Sequence, residues 1–185
     1  MRRPARHPVL ADRRGAALVE FALVAAPFIA LMLAIIQTSL TYFVQEALES
    51  AVEAAARGIV TGRTQAADLS AQTGGMTQAQ LAERFRKSGC GALPAFLSCD
   101  RLYVDVRSAA TGSDLTNAVG DLTFDKAGAL TTKLSYDYGG QGAIVMVRFI
   151  YLWPFQIAPL AGLGPNGSGP MVLMATSVAK SEAFG

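Results

Sequence analysis

Histidine, cysteine and charge are all scarce in this chain of 185 residues. The one histidine is His7, inside a basic N-terminal stub, and the two cysteines are Cys90 and Cys99. A zinc site needs three or four His, Cys or acidic ligands at close spacing, and two thiols without companions do not supply them. With no histidine beyond the stub and no nucleophile elbow, the chain also lacks the usual arrangements for acid–base or nucleophilic catalysis. The expectation is therefore no enzyme, with no catalytic residues, no metal and no cofactor. Charged residues make up only 16% of the chain, and none falls between Phe21 and Gln45. At ~1.5 Å of helix rise per residue this run reaches ~37 Å, more than the ~30 Å hydrocarbon core of a bilayer. No later segment of that length is free of charge or of Gly/Pro clusters, so a single membrane span is expected.

The charges that are present divide unevenly. Residues 1–15 hold Arg2, Arg3, Arg6, Arg13 and Arg14 against Asp12, a net of +4, while 11 basic and 13 acidic side chains follow, a net of −2. Basic residues flanking a span stay cytoplasmic, so the stub is assigned inside and the domain beyond Gln45 outside. The high pI of 8.7 then comes from the stub, and nucleic acid is not an expected partner. Four parts follow: a basic leader over 1–15, a transmembrane helix over 16–44, an extension of that helix over 45–61, and an extracytoplasmic α+β domain over 62–185.

Cys90 and Cys99 flank a loop containing Gly, Pro and Ser. In an oxidising compartment a disulfide is their expected use, and closing so short a loop is worth ~2–3 kcal/mol in the chain-entropy account. The helix that begins at Ala16 is expected to continue to about Val60, because Leu48, Ala51, Val52, Ala55 and Ile59 keep helical spacing while Glu46, Glu49 and Glu53 lie on another face. Gly62 is a plausible C-cap. Pro27 cannot donate to the carbonyl of Leu23, which predicts a kink or local unwinding. Ala22, Ala26, Ala30 and Ala34 recur every four residues; they are either a ridge for close helix packing or ordinary alanine content.

Residues 62–76 read as a polar, Gly-rich loop. Thr77–Gln80 matches a capping box, opening a short amphipathic helix to Lys87. Leu102–Arg107 alternates as a strand, residues 109–133 are turn-rich with a short strand near Leu122–Phe124, Ala143–Trp153 is a strong strand broken by Arg148, and Met171–Glu182 closes the chain. Pro154–Gly169 is a Pro/Gly connection. The connections leave no room for crossover helices, so an antiparallel sheet packed on the long helix is expected. Gly162, Gly164 and Gly167 match the dinucleotide fingerprint in letters alone, since no helix follows to receive a pyrophosphate. Asp121, Asp125 and Asp137 lack the dense spacing of a calcium loop. Tyr151, Trp153 and Phe155 are read as packing aromatics.

Gly15 is followed by Ala16-Ala17-Leu18-Val19-Glu20-Phe21. Cleavage after Gly15 would create an amino terminus at Ala16, at the membrane boundary, with Glu20 one helical turn away. The carboxylate of one subunit could then neutralise the Ala16 ammonium of its neighbour, and a wrong axial register would leave both unpaired. The competing reading is a signal-anchor with an incidental interfacial glutamate.

The block Arg13–Phe28, with Gly15, Glu20 and the proline in its apolar run, resembles the TadE/TadG-like minor pseudopilins of the Tad (Flp, type IVc) pilus machinery. The closing segment Ala175–Phe184 is similar to the family's way of ending in a strand that closes on an acidic and an aromatic residue. The resemblance implies a pilin-like α+β fold and a bacterial inner-membrane location with the N terminus cytoplasmic. It also implies cleavage of the Gly15–Ala16 bond by the prepilin peptidase and use of Glu20 as the recognition and assembly carboxylate. Implied partners are the major pilin, other minor pseudopilins, the inner-membrane pilus platform and membrane lipid. The implied role is priming or forming a tip or base complex of the pilus. An unprocessed, membrane-anchored periplasmic scaffold or adhesin remains the alternative.

Overall fold

The structure is a computed structural model, and it describes residues 15–118, 120–125, 128–154 and 171–182. The leader residues 1–14, the Pro/Gly connection from Phe155, Gly162, Gly164, Gly167 and Phe184 lie outside them. The chain forms two compact units, residues 1–39 and 40–185.

Helix α1 runs from Ala16 to Val60, 45 residues without interruption. The helical pattern continues through Pro27, so the expected local unwinding does not occur; the helix absorbs the missing donor of that one residue. Within the second unit, α1 buries Val44, Leu48, Ala51, Val52, Ala56 and Ile59. This is the stripe anticipated from spacing, with Glu46, Glu49 and Glu53 exposed on other faces. Past Val60 the chain reverses at Gly62, whose φ of 73° falls in the left-handed region that only glycine enters without cost.

The polar loop expected at 62–76 is instead a helix, α2, Arg63–Thr73. Its composition carries no apolar stripe, and the one residue it buries is Asp68. A carboxylate held by partners on other elements replaces the hydrophobic face that periodicity searches for. Helix α3, Gln78–Gly91, opens with the capping box read from Thr77 and Gln80: Thr77 Oγ1 accepts from the Gln80 N–H and the Thr77 N–H donates to Gln80 Oε1. It extends one turn beyond Lys87 and buries Leu81, Phe85, Gly89 and Cys90.

A 3₁₀ turn at Cys99–Arg101 leads into β1, Leu102–Ala109. Helix α4, Gly112–Ala118, occupies part of the expected turn-rich stretch; Thr111 caps it by accepting from the Asp114 N–H. The short strand expected near Leu122 reduces to one bridge between Phe124 and Leu130. Strands β2, Ile144–Trp153, and β3, Met171–Lys180, complete an antiparallel sheet in the order β1-β2-β3. The fold class is α+β, a long helix on a small antiparallel sheet, as expected.

The pleat sorts the central strand. Val145, Val147, Phe149, Tyr151 and Trp153 join Val106 and Leu102 of β1, Leu173 and Ala175 of β3, and the α1 stripe in one core cluster. The opposite face of β2 holds Met146, Arg148, Ile150 and Leu152, also buried. Register ties the elements end to end. Leu102, Tyr151 and Leu173 stand at one level, where Gln45 Nε2 donates to the Met174 carbonyl at 3.1 Å. At the other end the Glu182 N–H reaches the Val60 carbonyl. Strand β3 therefore follows α1 from Gln45 to its C terminus.

Candidate assembly site

Gly15 and Ala16 open the described chain, both exposed, and Ala16 is the first residue of α1. Glu20 lies four residues on, ~6 Å along the axis and within ~40° of the same face. It is exposed and makes no hydrogen bond or ion pair among the described residues. Around it the helix shows apolar side chains in every direction: Leu18, Val19, Phe21, Leu23 and Val24 are each 61–73% exposed. A helix that is apolar all round belongs in lipid or in a helix bundle, and this one is long and apolar enough to cross a membrane. In lipid an unpaired carboxylate is costly. Ala22, Ala26, Pro27 and Ala30 are exposed and Ala34 is partly so; the four alanines, an i, i+4 series, lie along one side of the helix.

The second unit is held by features that face inward. Cys90 and Cys99 form a disulfide with Cα atoms 5.6 Å apart. It closes α3 onto the turn before β1, and Arg86 of α3 donates to the Cys99 carbonyl across the same closure. Arg86 also pairs with Glu83 on the helix surface. That pairing holds the Glu83 carboxyl below its ordinary value and raises the Arg86 guanidinium.

Two buried carboxylates went unrecognised in the sequence. Asp68 of α2 is 1% exposed; it pairs with Arg84 of α3 and accepts from the Tyr136 hydroxyl at 2.7 Å. Burial, reinforced by the bond to Asp68, pushes the Tyr136 phenol far above its ordinary range. Tyr136 in turn touches the rings of Phe85 and Tyr138. Asp105 of β1 is fully buried and stands opposite Arg148 of β2 in register. Its carboxylate accepts from Arg148 at 2.8 Å, from Arg107 at 3.0 Å and from the Ser135 N–H at 2.8 Å. Arg148 had a visible signal, a lone charge in an apolar strand; Asp68 had none, because its partners are distant in sequence. Asp68 is matched by one guanidinium, whereas Asp105 faces two, and the buried Nε of Arg148 finds no hydrogen-bond partner among the described residues. Among the described residues no three His, Cys or acidic side chains gather as a metal site.

The chain thus joins one exposed apolar helix, long and apolar enough to cross a membrane, to a small disulfide-closed α+β domain. Residues 15–57 match the model of the family described as TadE-like protein; over that segment the chain is similar to TadE-like proteins. No curated protein and no solved structure matches the chain.

Proposed function

We propose that this protein is a minor pseudopilin that takes part in assembling a Tad pilus, as part of a priming, tip or base complex. The observation that carries the reading is Glu20: an unpartnered carboxylate one turn into an exposed apolar helix, inside the TadE-like segment. Cleavage between Gly15 and Ala16 would leave an ammonium at the helix start. Parallel packing against a neighbouring helix would then place the Glu20 of one subunit beside the Ala16 ammonium of the other. The pair offsets the desolvation of both charges only in one axial register, which makes it a device for alignment more than for affinity. Ala22, Ala26, Ala30 and Ala34 would let the two backbones approach. No turnover is involved; the chain is a substrate of the prepilin peptidase and a structural part. In this reading α1 crosses the bacterial inner membrane once, with residues 1–15 cytoplasmic and the α+β domain periplasmic. The partners are the major pilin, other minor pseudopilins and the membrane platform of the machinery.

The test is the intact mass of the protein extracted from membranes of a host with its own Tad machinery. A chain beginning at Ala16 supports the proposal. A full-length chain, in cells that process their major pilin normally, overturns it in favour of an unprocessed membrane-anchored scaffold.

A further inference from the structure

The disulfide loop between α3 and β1 presents one large apolar side chain outward. Leu93 and Leu97 of that loop enter the core, and the Leu97 N–H closes a tight turn on the Pro94 carbonyl at 2.9 Å. Phe96, inside the turn, is left 60% exposed. Its ring does not point into open solvent alone but stacks on Phe43 of α1, with centroids 6.2 Å apart and planes 23° apart. Phe43 is 53% exposed and its neighbour Tyr42 is 70% exposed.

The place of this pair along α1 gives it meaning. The charge-free run begins at Phe21 and ends at Gln45. Roughly 20 residues of helix cross a hydrocarbon core, so a span entered at Phe21 leaves the core at about Leu40 and meets the headgroup layer at Tyr42 and Phe43. Aromatic rings collect at that depth, where one part of the ring sits in acyl chain and the other in the wet interface. The level matches the end of the sheet marked by Leu102, Tyr151 and Leu173, next to the Gln45–Met174 bond. Cys99 and the loop it closes emerge from this end.

We propose that Phe96, held by the Cys90–Cys99 loop against Phe43, is a second contact of the domain with the bilayer, seated in the acyl–headgroup boundary beside the exit of α1. This rests on the reading of α1 as a membrane span. The occupant of the patch is lipid because Tyr42 and Phe43 still belong to the charge-free run of α1 that is read as the span. The contact is apolar, since the exposed Asp100 and Arg101 beside the loop oppose each other in charge. Anionic lipid is therefore not required. Functionally, a second contact holds the domain to the membrane surface at a point other than the helix itself.

The test uses the full chain in phosphatidylcholine vesicles, with Phe96→Trp as an exposed reporter and the wild type, whose Trp153 is buried, as background. Leu33→Trp, midway along the charge-free run, reports the span. Expected is loss of most of the added Phe96→Trp emission with lipids brominated near the glycerol, and little loss with lipids brominated at the chain end. The reverse order is expected for Leu33→Trp, and neither should change when anionic lipid is included. If Leu33→Trp is quenched and Phe96→Trp is not, the loop contact is overturned while the span stands. If neither is quenched, both fall together. Emission from Phe96→Trp that shifts blue with rising protein-to-lipid ratio, without bromine quenching, overturns the lipid in favour of a second copy of the chain.

Discussion

Gly89 of α3 lies against the ring of Phe149 in β2: a Cβ built at residue 89 would stand 2.5 Å from Phe149 Cζ and 2.8 Å from Cε2. Neither side can yield easily, because Phe149 is fully buried at the centre of the sheet. Gly89→Ala is expected to destabilise the domain by about 1–3 kcal/mol, the usual cost of forcing extra carbon into a packed core. Phe149→Leu should cost stability alone yet recover part of the loss when combined with Gly89→Ala. Denaturant unfolding of the four proteins in detergent checks the non-additivity.

The Asp105 cluster predicts an asymmetry. Arg148→Met leaves Asp105 with Arg107 and the Ser135 N–H, whereas Asp105→Asn leaves two guanidinium groups facing a neutral amide. Removing the shared acid should therefore cost more, on the order of 3–5 kcal/mol for a broken buried ion pair. Equal or reversed costs in denaturant titrations would contradict the geometry.

Tyr136 predicts a loss of stability in alkali. Its phenol is held well above the ordinary value of 10.0, chiefly by burial and then by Asp68. The native state thus keeps a proton that the unfolded chain releases, and stability falls as pH rises past about 10. Tyr136→Phe removes this contribution and should flatten the decline. Tyr138 and Tyr151, also raised by burial, leave a residual slope. Midpoints of urea unfolding between pH 8 and 11 measure it. At neutral pH the same substitution should cost about 1–3 kcal/mol, because Asp68 loses a buried donor.

Glu20→Ala should leave the folding of the second unit unchanged, since Glu20 has no partner among the described residues. It should abolish incorporation of the protein into the pilus machinery. Co-purification with the other pilus subunits and the amount of sheared pili are the readouts. Normal piliation in the mutant would remove the register argument.

Opening the Cys90–Cys99 link by Cys90→Ser is expected to cost about 2–3 kcal/mol in the chain-entropy account of a short loop. Thermal unfolding with and without reductant should give the same loss in the wild type and none in the mutant.

Local and periodic signals in the sequence carried over into the structure. The α1 stripe repeats every three to four residues, the Thr77–Gln80 box lies within four residues, and the strands around Val104 and Val147 alternate or stay apolar, so short windows display them. Helix α2 was missed for a physical reason. Its stabilising contact runs from Asp68 to Arg84 and Tyr136, groups on other elements, and its own apolar residues, Ala66, Ala67, Leu69 and Ala71, form no buried stripe. Asp105 was equally hidden, sitting in a strand that alternates as though one face were wet, while Arg148 and Arg107 close over it. Of the candidate site, Gly15, Ala16 and Glu20 are read from spacing along one helix, and the structure adds that all three are exposed at its start. Phe96 was not, because only the folded loop brings it to Phe43.

The placement of β3 beside α1 also sets an order of events during synthesis. The stripe Val44–Ile59 is made early, yet the strands that cover it include Leu173 and Ala175 near the end of the chain. At ribosomal speeds of ~5–20 residues per second, the interval between Ile59 and Leu173 is on the order of 10 s. Phe85, Leu102 and Val147 of the same cluster are made sooner, but the part of the core that β3 completes stays open until Leu173 and Ala175 arrive. A chain stalled before Met171 would lack the strand that completes this core and would offer its neighbours an open seam.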